Sequence, residues 1–337
     1  MFRLVLTPGG VAMLISFLFA AAAGAMMLGL YVRRRAYERR ISLERQDDSA
    51  ISRRLLHLIH QPEFDRSSVQ LDELAPGQAH RIFSHLLRLV RGQDHDRLLL
   101  LADWVGLPDM SIRAMKHSLA ARRVDAMRLL EQFPVARAIE ALLDQMGHDP
   151  VPAVRLEAAA ALARTGNLPC PRHIIEMLDL KSKLANRLHE AIFRSSASAF
   201  ADELAQVSRD KSLGPVRPLL VEAIGWSEDY SLLPVLALHA SDLDPEIRAA
   251  ALKAARKLGH PSVSPWVRML LLDPAEQVRI QAARTAGALG LRDAIPVLST
   301  LVENPSWWVR TRAVEALSLL RPDQPAIAAG GGRKHDF

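Results

Sequence analysis

The side chains with the widest chemical reach in this sequence are its histidines, its single cysteine and a regular row of arginines. Twelve histidines are scattered along 337 residues. None falls in the H-E-x-x-H spacing that places two imidazoles and a general base on one helix face around zinc. His57 and His60 lie three apart, which on a helix brings both rings to one side. No third ligand accompanies them, so solvated histidines are expected. His189-Glu190 is a lone His-Glu pair. Cys170 stands between Pro169 and Pro171, and one thiol builds neither a disulfide framework nor a thiolate metal site. No phosphate-cradling glycine loop and no dinucleotide fingerprint is present. Serine triads are recognised by geometry and not by chain order. The sequence therefore assigns no catalytic residue, no metal ligand and no cofactor.

The arginines are different, because they are periodic. Arg217, Arg248, Arg279 and Arg310 recur every 31 residues, in Gly214-Pro-Val-Arg217, Pro245-Glu-Ile-Arg248, Glu276-Gln-Val-Arg279 and Trp307-Trp-Val-Arg310. Two steps back from Arg217 lies Arg155, and one step back lies Asn186 beside Arg187. Such a row could hold an anion. It could equally pair with acids, since Asp149, Asp242, Asp273 and Asn304 each lie six residues before their arginine. The structural reading is the expectation: a ladder of Asp149, Arg155, Arg217, Asp242, Arg248, Asp273, Arg279, Asn304 and Arg310.

The elements that must position this ladder follow from the same period. Each turn acid or amide is followed by a proline, as at Pro150, Pro245, Pro274 and Pro305, which is a helix-start signal. Small apolar residues then recur at helical spacing: Ala251, Leu252 and Ala255; Ala282, Ala283 and Ala286; Ala313, Val314 and Leu317. Gly166, Gly259 and Gly290 fall where a left-handed cap belongs. A further helix is marked by Pro234, Pro265 and Pro296, with Leu236, Val267 and Leu298 behind them. Each unit is thus a helix pair, and a pair can bury its apolar face only by stacking.

These residues resemble HEAT-type repeats, especially the short bacterial variety related to phycobilisome-lyase HEAT-like repeats. The turn Asp/Asn, the Val-Arg or Ile-Arg pair, the Ala-Ala step and the closing Leu-Gly carry the likeness. It is strong over 210–320, clear at 148–166, and degraded at 170–210, where Lys183-Leu-Ala-Asn186 replaces the turn. The resemblance implies an all-α solenoid of stacked helix pairs. It implies that the arginine pairs with a turn acid of its own or a neighbouring repeat, and that the alanine-rich helices line the concave face. There Glu222, Lys253, Gln281, Arg284, Arg312 and Glu315 form a mixed-charge strip for a protein partner, with the solvated helix face as the alternative. Iron-binding HEAT hydroxylases need several His-Glu pairs, and His189-Glu190 is one. Lyases and isomerases that share such repeats leave an enzyme reading through Cys170 or His189 thinly supported.

Trp307-Trp308 is the most unusual local feature. One indole is expected to seal the end of the core and the other to serve as a partner contact, with Trp308 as the candidate.

Charge and hydropathy place the chain. Net charge is +6, but Arg33, Arg34, Arg35, Arg39 and Arg40 concentrate it, and residues 41–332 are neutral. The repeat body thus lacks the basic excess of a nucleic-acid surface. Val11 to Val32 is an uncharged apolar run of ~22 residues, enough for a bilayer core. The arginines follow it at once, which predicts an external N-terminus, a transmembrane helix at 11–32 and a cytoplasmic remainder. The competing reading is a cleaved signal peptide at Ala23-Gly24-Ala25. It is disfavoured because the apolar run continues past that point and the basic cluster follows it. The five arginines are candidates for lipid headgroup contact.

The expected organisation is 1–10 outside, 11–32 in the membrane, 33–60 a basic juxtamembrane helix, 61–78 a linker, 79–147 divergent helical repeats, 148–321 HEAT-like repeats and 322–337 a flexible tail. The expected function is a scaffold binding a protein partner in a bacterial inner-membrane complex, for example one that makes envelope polysaccharide or relays a signal. A small-anion sensor and a lyase or isomerase are the alternatives.

Overall fold

The computed structural model describes residues 8–61, 74–133, 135–180 and 186–321, with side chains for all but 8–16 and 36–46. Among the described residues every regular element is a helix. The chain forms two compact units, residues 1–110 and 111–337.

The first unit is built on α1 (Pro8–Ile59), one unbroken helix of 52 residues. At 1.5 Å per residue it is about 78 Å long. The apolar run and the basic segment after it are two parts of this one element. Its stretch Phe17–Arg35 is long and apolar enough to cross a bilayer, and none of that window is buried inside the protein. The other end of α1 is covered. Leu55 and Ile59 are fully buried, beside α2 (Pro76–Leu89) and α3 (Gln93–Trp104). Arg81 forks onto both carboxylate oxygens of Asp48 at 3.0 and 3.2 Å. Arg97 donates to the Ile59 carbonyl at 2.7 Å. The expected linker ends earlier than 78, because Pro76 opens α2 after an extended Ala75. Proline suits that first turn, where its missing N–H would have no partner anyway. The rest of the linker, 62–73, lies outside the described residues. After Gly106 comes α4 (Leu107–Ala114).

The second unit is a row of helices: α5 (Ala120–Leu130), α6 (Ala136–His148), α7 (Pro152–Thr165), α8 (Pro171–Met177), α9 (Arg187–Ser196), α10 (Ala201–Val207), α11 (Arg217–Ile224), α12 (Leu233–His239), α13 (Pro245–Leu258), α14 (Ser264–Leu270), α15 (Glu276–Ala288), α16 (Ile295–Leu301) and α17 (Trp307–Leu320). Short proline-led helices α12, α14 and α16 alternate with the longer, alanine-rich α13, α15 and α17. Leu236, Val267 and Leu298 are fully buried under the short ones. Gly166 and Gly259 close α7 and α13 at φ 72° and 81°, in the left-handed conformation that costs glycine little. One apolar core runs from Met115 to Leu320.

The stretch 79–147, read above as one block, is divided: α2 and α3 lie in the first unit, α5 and α6 in the second. The weak point in the row, Lys183 to Asn186, is described only at Asn186. Its side chain caps α9 by accepting from the N–H groups of Leu188 and His189. The tail 322–337 lies outside the described residues.

The two layers of the row pack differently. The alanine-rich helices pack directly on one another: α11 on α13, α13 on α15, α15 on α17. A methyl placed on Gly225 would sit 2.6 Å from the Ala254 Cα, and one on Gly287 would sit 2.9 Å from the Ala316 Cα. The short helices make far sparser contact with each other.

Candidate partner interface

The ladder arginines lie at the starts of the alanine-rich helices and work in both directions along the stack. Arg248 Nη1 donates back to the carbonyls of Asp242 and Leu243 at 2.9 and 3.0 Å. Its Nε and Nη2 reach forward to the Asp273 carboxylate, both at 2.7 Å. Arg217 reaches Asp242 through Nη2 alone at 2.8 Å, and its Nε donates to the Ser208 carbonyl at 3.1 Å. Asp242 and Asp273 thus each serve the arginine of the preceding repeat, and Arg248 takes carbonyls from its own turn. The turn acids are not helix caps as expected. Asp242 and Asp273 accept from the N–H two residues on, while the cap of α13 is Asp244. The Asp273 carboxylate is the main reason the Arg248 pKa is raised. For Asp242, burial pushes upward, but the Asp244 N–H and Arg217 together outweigh it and hold the carboxyl low.

One rung was missed by sequence. Arg123 Nη1 donates to the carbonyls of His117 and Ser118 at 2.9 and 3.1 Å, and its Nε and Nη2 hold Asp149 at 2.7 and 2.8 Å. This carboxylate, fully buried, also accepts from Gln145 and from the Val151 N–H. Burial alone would raise its pKa, yet these donors lower it.

The ladder is incomplete elsewhere. Among the described residues Arg279 and Arg310 hold only their own turn carbonyls, at 2.7 to 2.9 Å. In the next turn the place of Asp273 is taken by Asn304, whose side-chain oxygen accepts from the Ser306 N–H. The Nε atoms of Arg155 and Arg279 are buried without a partner.

The mixed-charge strip on the alanine-rich helices is largely paired with itself. Lys253 binds Glu222 at 3.0 Å across one repeat. Arg256, absent from the sequence-derived set, donates to Gln281 at 3.2 Å. Arg312 and Glu315 pair within α17 at 2.6 Å. Arg284 is exposed, and its charge helps lower the Arg256 pKa, after burial. Trp226 also escaped the sequence reading. The Arg194 guanidinium lies 4.3 Å from its ring centre and the Lys257 ammonium 4.0 Å, both within cation–π range. Arg194 in turn pairs with Glu190.

Trp307 and Trp308 are 54% and 55% exposed, and their rings meet edge to face, 4.5 Å between centroids. Neither indole seals the core. Fully buried Val309 takes that place, as Val278 and Ile247 do one and two steps earlier. The pair opens α17, and Trp308 lies one helical turn before Arg312 of the strip.

The remaining candidates are placed as follows. Arg33, Arg34 and Arg35 are exposed on α1, with Arg35 donating to the Tyr31 hydroxyl at 3.1 Å. The side chains of Arg39 and Arg40 lie outside the described residues. His60 meets the Leu56 carbonyl at 2.6 Å, while His57 is exposed. His189 Nδ1 accepts from the Asn186 N–H at 3.0 Å and completes the α9 cap. Cys170 Sγ lies 3.1 Å from His173 Nδ1. Among the described residues no three His, Cys, Asp or Glu side chains gather to hold a metal. Buried His239 touches the Ser208 hydroxyl at 2.9 Å, and burial plus the Arg217 charge push its pKa down to about 4.

A family model described as HEAT repeats matches residues 265–329. No curated protein matches the chain. Among solved structures, human deoxyhypusine hydroxylase in complex with glycerol is 18% identical, covering 84% of this chain and 98% of that one, with a TM-score of 0.33. An engineered protein is 17% identical, covering 64% and 96%, with a TM-score of 0.34. A Kap121p mutant is 13% identical, covering 82% and 42%, with a TM-score of 0.32.

Proposed function

We propose that this protein is a single-pass, membrane-anchored scaffold whose HEAT-like repeats bind a protein partner on the cytoplasmic side of a bacterial inner membrane. One observation carries the anchor: apolar side chains of α1 stand bare, with Phe19 and Met27 at 74% and 76% exposure. A bare apolar surface of this length asks for a bilayer. The arginines that follow at once favour a cytoplasmic side for the repeats. The work is physical and not chemical. A row of stacked helices is held near the membrane, which raises its effective concentration for membrane-associated partners. Acids already occupy Arg123, Arg217 and Arg248, which favours a scaffold over an anion-binding row.

The test is fractionation of cells expressing the full chain and a variant lacking residues 1–32. The proposal expects the full chain in carbonate-washed membranes and the variant, folded by circular dichroism, in the soluble fraction. Release of the full chain by carbonate would overturn the anchor. Reporter fusions at either end would report the orientation.

A further inference from the structure

The geometry points to the turn edge of the last repeats as a docking surface for a cationic, partly apolar peptide segment of a partner protein; this rests on the scaffold reading above. The exposed residues there are apolar in the middle: Leu243 at 93%, Leu272 at 66%, and Trp307 and Trp308. Two contacts show that neighbouring turns form one surface. Gln277 donates to Glu246 at 2.9 Å, and the Ser306 hydroxyl donates to Glu276 at 2.7 Å. Around the apolar residues stand exposed carboxylates: Asp244, Glu246, Glu276 and Glu303. The cations of these turns are turned inward. Arg248 is held by Asp273, while Arg279 and Arg310 spend Nη1 on their own turn carbonyls.

Charge complementarity selects the occupant. Indole faces and carboxylates both attract guanidinium and ammonium groups, and the leucines give the apolar stems of such a segment a place to lie. The same carboxylates oppose an anionic bilayer surface, so two exposed tryptophans here fit a protein segment better than lipid. Tryptophan is also among the residues most enriched at binding hot spots.

The test uses full-length protein in non-ionic detergent and three fluorescein-labelled peptides: three tandem copies of Ala-Arg-Leu-Lys, of Ala-Glu-Leu-Asp and of Ser-Arg-Ser-Lys. The first should raise anisotropy saturably and lose affinity at higher salt, the second should not bind, and the third should bind more weakly. Trp307→Ala/Trp308→Ala and Glu246→Lys/Glu303→Lys should each weaken the first peptide at least about tenfold with the melting temperature unchanged. Equal binding of the acidic peptide, binding of none, or undiminished binding in both variants would overturn the proposal. So would a dimer that dissociates in the tryptophan variant on ultracentrifugation. Quenching of Trp307 and Trp308 by brominated phosphatidylglycerol in proteoliposomes would mark a lipid surface and overturn it equally. None of these outcomes touches membrane partitioning, which tests the scaffold reading separately.

Discussion

Arg248 and Arg279 stand one step apart in the same ladder. Both open an alanine-rich helix, and both hold two carbonyls of their own turn. Arg248 then meets Asp273 and is closed by two short bonds. For Arg279 the corresponding place in the next turn holds Asn304, and its Nε is buried and unpaired. The difference teaches that the arginine's role is set by the neighbouring repeat. A periodic side chain is a structural rivet only where the next turn supplies its acid.

The largest effect should come from breaking a complete rung. Asp273→Ala strands the buried Arg248 charge, and losses of this kind run to about 3–5 kcal/mol. Urea unfolding should show a lower midpoint at unchanged slope. A loss below about 1 kcal/mol would mean that the pair behaves as a surface pair.

Next is the histidine behind the Arg217 rung. His239 has a folded pKa of about 4 against an ordinary 6.5. The unfolded chain therefore binds the extra proton first, so stability is full above about pH 6.5 and falls as pH drops toward 4. The shift is worth roughly 3 kcal/mol at most. His239→Gln should flatten that window, leaving the decline below the ordinary carboxylate range, where Asp149 and Asp242 protonate. An unchanged profile in the variant would remove His239 from the account.

Gly225→Ala should cost about 1–3 kcal/mol by overpacking, since its methyl meets the Ala254 backbone. A neutral result would mean that α11 and α13 can separate freely. The smallest effect is a gain. Asn304→Asp offers Arg279 the missing carboxylate and should stabilise by about 1 kcal/mol. Thermal unfolding would show it, and no gain would mean that the Arg279 Nε stays out of reach.

The repeat row was legible because the residues that constrain each turn recur every 31 positions. Val216, Ile247, Val278 and Val309, just before each arginine, are all buried. That register already argued against a tryptophan sealing the end of the core. Arg123 was hidden because it precedes Arg155 by 32 residues, and its turn offers His117 where an acid was sought. Ser208 and His239 share the 31-residue register but differ in type, so periodicity does not pair them. The cations around Trp226 come from α9 and α13, and such convergence exists only once the helices pack. Which oxygen of each turn serves which neighbour is likewise a property of the stack.

The most direct test of a membrane-anchored scaffold is site-specific photocrosslinking in living cells, with the photoreactive residue at 284, at 308 and at outward-facing Arg268 as a control. The account predicts a discrete adduct in the membrane fraction from 284 or 308, none from 268, and loss of that adduct when residues 1–32 are deleted from the folded protein. No adduct at 284 or 308 in stably folded, membrane-bound protein would contradict it, as would an adduct that persists without the anchor.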